Sequence, residues 1–163
     1  MMDRREFLKK SLEGIVIGSV PLIYNCGKNP VNSELYIKDN IEYCIQTGKS
    51  AYKLGEKVEI LYRVANVGKE PYVFSFPSSQ WYDFNVKKLD EEIWEWSYNK
   101  LFATVITNFG LNPGEYKEFI ENWNMLYNNG YQIKTGNYFI SGTLGSFRIY
   151  PNSTISVDIN IIP

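Results

Sequence analysis

A chain of 163 residues with a net charge of −1 and no histidine has room for one ordinary domain with its own core. The near-neutral balance, with no basic run beyond the first ten residues, excludes an electrostatic surface for nucleic acid. Missing imidazoles exclude catalytic triads and histidine-ligated metal sites, while 44% hydrophobic and 16% aromatic residues describe a folded chain rich in strand formers.

The first element in the chain is a targeting segment. Asp3-Arg4-Arg5-Glu6-Phe7-Leu8-Lys9 resembles a twin-arginine export signal: Arg4, Arg5, Phe7 and Leu8 hold its core positions, and the departure is the absence of Ser or Thr before the arginines. Residues 14–24 form an apolar stretch of about 11 residues, too short to span a hydrocarbon core of roughly 30 Å. Leu22-Ile23-Tyr24-Asn25-Cys26-Gly27 then resembles a degenerate lipobox, with Asn25 where a small residue is usual, which makes Cys26 a candidate lipid attachment site. The expected organisation is a signal segment over 1–25, a polar tether over 26–33 and one domain over 34–163. That domain is exported to the cell envelope or beyond, and is held at the membrane if Cys26 is acylated. Cys26 has a rival use, closing a disulfide with Cys44, which acylation would forbid. Cys44 itself reads as a small buried filler between Tyr43 and Ile45.

Beyond the tether the hydrophobic period is two. Ile41, Tyr43 and Ile45 alternate with Glu42, Cys44 and Gln46, and Val58, Ile60, Tyr62 and Val64 alternate with Glu59, Leu61, Arg63 and Ala65, so each stretch is expected to cover a core with one face. Residues 72–76 and 82–86 continue the pattern across a break at Pro77, which cannot donate a ladder hydrogen bond. Residues 93–97 are expected to pair back on 82–88 through 89–92, a hairpin that puts Trp94 and Trp96 on one face. In Leu111-Asn112-Pro113-Gly114-Glu115, Pro113 presets one central φ and Gly114 accepts the positive φ of a type II turn. A strand then runs to Trp123, a polar stretch over 124–134 reads as a long loop, and the apolar positions around Tyr138, Ile140, Leu144 and 155–161 supply the last strands. About eight short strands with turns and no crossover helices predict an all-β, antiparallel sandwich of immunoglobulin type, with a closed barrel as the alternative. Such a domain calls for no cofactor and no metal.

The order of these pieces resembles the BsuPI-type intracellular proteinase inhibitors over residues 52–144. The resemblance is carried by Gly55-Glu56-Lys57-Val58, Val64-Ala65-Asn66, the block from Phe76-Pro77-Ser78-Ser79-Gln80-Trp81 to Tyr82-Asp83-Phe84-Asn85-Val86, Ile93-Trp94-Glu95-Trp96-Ser97, the Pro113-Gly114 turn, Trp123 and Gly136-Asn137-Tyr138. It implies an immunoglobulin-like sandwich and, from the founding member, inhibition of a bacterial serine protease. That member acts inside the cell, whereas this chain carries an export signal, so the individual target does not transfer.

No catalytic residue is assigned, since no nucleophile motif or phosphate-cradling loop occurs. The expected partner is a protein, a serine protease under the resemblance, met by ordered surface loops over 77–80, 97–100 and 124–134. Pro77, Ser78, Ser79, Gln80 and Trp81 are the leading contact residues; alternation turns Trp81 away from Tyr82 and Phe84 and toward solvent. Tyr82, Asp83, Phe84, Trp94, Trp96, Pro113, Gly114 and Trp123 are read as structural, with Asp83 bonding a backbone amide or a tyrosine hydroxyl. Two other functions remain open: an envelope scaffolding module without an inhibitory loop, and an enzyme with two carboxylates converging in a cleft.

Overall fold

The computed structural model describes residues 32–147 and 154–163; Arg4, Arg5, Phe7, Leu8 and Cys26 lie outside the described residues. Period-two patterning becomes strands throughout: β1 (Asn32–Lys38), β2 (Ile41–Thr47), β3 (Ala51–Lys53), β4 (Val58–Asn66), β5 (Tyr72–Phe76), β6 (Tyr82–Lys88), β7 (Glu91–Glu95), β8 (Thr107–Leu111), β9 (Tyr116–Trp123), β10 (Gly136–Leu144) and β11 (Ile155–Ile162). Three of these exceed the expected eight. β3 has three residues, too few to show a period, β8 offers only Phe109 and Leu111 as apolar residues, and β1 is an exposed edge strand.

The strands form one open sheet in the order β1-β2-β4-β9, a second in the order β3-β11-β10-β6-β7, and a two-stranded ribbon of β5 and β8. Pairing is antiparallel except between β3 and β11. The arrangement is a sandwich and not a closed barrel. Its two sheets meet through Tyr62 of β4, which packs edge-on against Phe84 of β6 at 6.4 Å, and through Trp123 of β9, 5.8 Å from the Tyr138 ring of β10. Val58, Ile60, Tyr62 and Val64 are all fully buried, as their alternation requires.

The outer face of β4 departs from simple alternation. Arg63 is buried there because β9 places Glu118 opposite it: Nε donates to Glu118 Oε1 at 2.9 Å and Nη2 to the same oxygen at 2.5 Å, while the Tyr116 ring lies 4.7 Å from the guanidinium. Cys44, on the same face of β2, is fully buried and disulfide-bonded. Its burial agrees with the filler reading, and the bond is the rival use of a cysteine pair.

Asn66 ends β4 by closing the neighbouring turn. Its side-chain amide donates to Leu111 O at 2.9 Å and Glu70 O at 2.8 Å, and its carbonyl accepts from Gly114 N at 2.9 Å. The turn beyond is type II: Glu115 N donates to Asn112 O at 2.9 Å and Gly114 has φ 81°. The expected long loop over 124–134 is instead a folded arm. Met125 and Ile133 are buried in the core, Tyr127 N donates to Tyr131 O at 2.8 Å, and Leu126 bridges Gln132. The polar composition hid two apolar anchors spaced too far apart to register as a strand.

Candidate functional site: the β7–β8 loop and its supports

The break at Pro77 and the long connection from β7 to β8 fold against each other. Ser79 N donates to Ala103 O at 3.0 Å, and Ala103 N donates back to Ser79 Oγ at 2.9 Å. Ser78 Oγ accepts from Gln80 N at 3.1 Å, and Ser78 O accepts from the Thr107 hydroxyl at 2.8 Å. Ser78, Ser79 and Gln80 therefore spend polar groups on bonds within the chain, Ser78 and Gln80 half-buried and Ser79 exposed like Pro77.

Trp81 is half-buried rather than open to solvent. Its indole stacks on Phe76 at 5.9 Å and lies 5.2 Å from Phe109, its N–H donates to Thr107 Oγ1 at 2.8 Å, and the Lys117 ammonium sits 4.8 Å from the ring. Alternation correctly turned Trp81 away from the main core. The β5–β8 ribbon then covers that side, which strand periodicity does not disclose.

Asp83 is the node that holds this end together. One carboxylate oxygen accepts from Phe84 N at 2.8 Å and Ser97 N at 3.1 Å; the other accepts from Gln80 Nε2 at 2.9 Å and from the Ser97 hydroxyl. The start of β6 is thereby tied to the first residues of the β7–β8 loop. Beside it, the Tyr82 ring stacks between Trp96 and Phe119, both at 4.4 Å, and its hydroxyl donates to Glu121 Oε1 at 2.7 Å. Burial, that hydrogen bond and the charges of Glu121 and Asp83 push the Tyr82 phenol above its ordinary range. Phe84 is buried, and Trp123 is buried with its indole N–H donating to Leu126 O at 2.9 Å.

Trp94 and Trp96 are half-buried and border an open cleft of about 390 Å³, shared with Tyr98, Lys100, Glu121 and Asn128. The Lys100 ammonium lies 3.3 Å from the Trp96 ring centroid, and burial lowers its pKa against the opposing charges of Glu121 and Asp83. Glu95 is shifted upward by burial and by Asp83 and Glu92. Among the described residues no group of three or more His, Cys, Asp or Glu is placed to hold a metal ion.

The most exposed part of this end begins one residue beyond the expected 97–100 loop. Leu101 is fully exposed, and Val105 and Ile106 are exposed too, between the docked Phe102 and strand β8. The available signal was an apolar run over 101–106 with neither strand alternation nor turn chemistry. Pro113 and Gly114 form the separate turn described above and take no part in the loop.

The model of one protein family, described as BsuPI, intracellular proteinase inhibitor, matches residues 45–148. No curated protein matches the chain. Among solved structures, the sporulation control protein Spo0M of Bacillus subtilis is 18% identical, with 81% of this chain and 50% of that one covered and a TM-score of 0.45. The CARDB domain of a Pyrococcus furiosus protein, solved in complex with di-metal ions, is 16% identical over 82% of this chain and 97% of its own, with a TM-score of 0.41. A β-glucosidase from Erythrobacter marinus is 12% identical over 72% of this chain, with a TM-score of 0.44, and the chain spans 15% of its length.

Proposed function

The chain belongs to the BsuPI family of intracellular proteinase inhibitors, and from that premise we propose that it inhibits a serine endopeptidase at the cell envelope by offering a preordered surface loop. The observation that carries the reading is the β7–β8 loop, in which exposed apolar side chains stand between points fixed to the sandwich by Asp83 at one end and Ser79 at the other. A loop already ordered avoids roughly 0.5–1.5 kcal/mol per immobilised side chain on binding. The Asp83 carboxylate is committed to four internal donors, so this reading assigns the chain no acid–base chemistry.

The envelope location is supported by the Arg4-Arg5 segment and by the disulfide state of Cys44, since disulfides persist in oxidising compartments. Cys26 is the other cysteine of the sequence. A lipid there and a bond to Cys44 exclude each other.

The test is titration of the full chain into subtilisin-class, chymotrypsin-class and trypsin-class enzymes, following residual activity. Stoichiometric loss of activity of at least one enzyme is the expected result. Full residual activity in all three, with the added chain intact, would replace the inhibitor with a non-inhibitory envelope binding module.

A further inference from the structure

Resting on that inhibitory reading, we infer that Leu101 is the anchor that enters the primary specificity pocket of the target, and that the target therefore accepts a large apolar side chain. Leu101 is 100% exposed, although its surroundings are tightly held. Lys100 N donates to Ser97 O at 2.9 Å and Tyr98 N to Glu95 O at 3.2 Å before it. After it, Phe102 packs 5.9 Å from Trp96 and Ala103 is doubly bonded to Ser79. No hydrogen bond occupies the backbone of Leu101 or Phe102 among the described residues. Both the side chain and the main-chain groups are thus free to engage an extended cleft, the combination by which proteins recognise strands.

Four other exposed apolar side chains, Leu89, Tyr131, Phe147 and Val105, lack this combination. Leu89, 81% exposed, sits in the β6–β7 turn with φ 55°, a left-handed conformation that cannot lie along a strand-binding cleft. Tyr131, 73% exposed, closes its own arm by accepting from Tyr127 N, and its amide donates to Asn129 Oδ1 at 3.1 Å. The Phe147 amide is spent on Ser75 O at 2.8 Å. Val105 N donates to Ala103 O at 2.9 Å.

Charge narrows the class of target. Lys100, the basic residue next to Leu101, is drawn back over Trp96 and does not stand at the apex. An acidic specificity pocket of the trypsin class would find no cation there, whereas a hydrophobic slot of the chymotrypsin or subtilisin class would take the leucine.

The experiment compares inhibition by the full-length wild type with Leu101→Ala, Leu101→Arg and, as control, Leu89→Ala, against subtilisin-class, chymotrypsin-class and trypsin-class enzymes. Wild type should inhibit an enzyme with an apolar pocket. Leu101→Ala should weaken that inhibition about 10- to 100-fold, from the lost burial of one leucine side chain. Leu89→Ala should leave it unchanged, and Leu101→Arg should shift it toward the trypsin class. Urea midpoints should match wild type for all three variants, since Leu101 and Leu89 are exposed. Equal inhibition by wild type and both Leu101 variants would overturn the anchor while leaving the inhibitor standing. Wild-type inhibition confined to the trypsin-class enzyme would overturn the apolar specificity, and inhibition of none would bring down both proposals.

Discussion

The Asp83 carboxylate takes donors from three directions: the chain's own next amide, the Gln80 side chain, and both the amide and hydroxyl of Ser97 across the β6–β7 hairpin. Hydrogen bonds to a charged acceptor contribute about 1.5–3 kcal/mol each when a partner is left unsatisfied, but Asp83 is half-exposed and water replaces part of the loss. Asp83→Ala is therefore expected to lower stability by about 2–3 kcal/mol in urea denaturation, and to loosen the start of the β7–β8 loop as well. Its neighbour Trp81 shows the limit of residue-level reading. Period two states which face a side chain leaves by, not what lies over that face; Phe76, Phe109 and Lys117 reach the indole from β5, β8 and β9.

Two glycines separate what elements require locally from what packing requires. Gly114 has φ 81° and open space around its missing Cβ, so it serves the turn alone, and Gly114→Ala should cost about 1 kcal/mol of backbone strain. Gly142 lies in β10, where a Cβ would stand 2.8 Å from Cδ2 and 2.9 Å from Cγ of the fully buried Tyr62 on the facing sheet. Neither the ring nor the strand can yield cheaply, so Gly142→Ala should cost about 2–3 kcal/mol through overpacking. Urea midpoints of the two variants give the comparison, and a larger loss for Gly114→Ala would contradict the sheet separation at Tyr62. The Pro113-Gly114 turn was legible because its chemistry is contained in four residues. Gly142 was not, because its constraint comes from a strand eighty residues earlier in the chain.

At the scale of the molecule, acidic groups pull pH dependence in opposite directions. Burial raises the Glu42 carboxyl above its ordinary 4.5, with the Arg63 charge opposing the shift, and Glu42 Oε1 has no hydrogen-bond partner among the described residues. A raised folded value means the favourable contribution is complete below 4.5 and is lost as pH rises through that folded value. Glu56 and Glu115 are shifted the other way, Glu56 first by its hydrogen bond from Lys49 and Glu115 first by the Asn112 amide. Their contributions are present above the ordinary carboxylate value and fade as pH falls through the depressed ones, but both are solvent-screened. Glu42→Gln should therefore be more stable than wild type near pH 7, with the gap closing near pH 4, in urea denaturation at the two pH values. Arg63 keeps Glu118 as its partner in the variant. An unchanged gap across that range would show that Glu42 is not desolvated when charged.

Period-two patterning, turn residues and aromatic content were sufficient by themselves for an all-β sandwich, for the β4, β6 and β10 strands and for the type II turn, because each is determined by neighbours within a few residues. The family blocks could likewise be read directly, from Gly55 through Tyr82-Asp83-Phe84 to Gly136. Tertiary structure decided the rest. It half-covered Trp81 with a separate ribbon, folded the 124–134 stretch onto Met125 and Ile133, and left Leu101 bare while fixing the residues on either side of it to β6 and to Ser79. Exposure of a loop residue depends on which distant segments hold its flanks, and those contacts join positions whose separation along the chain no local pattern encodes.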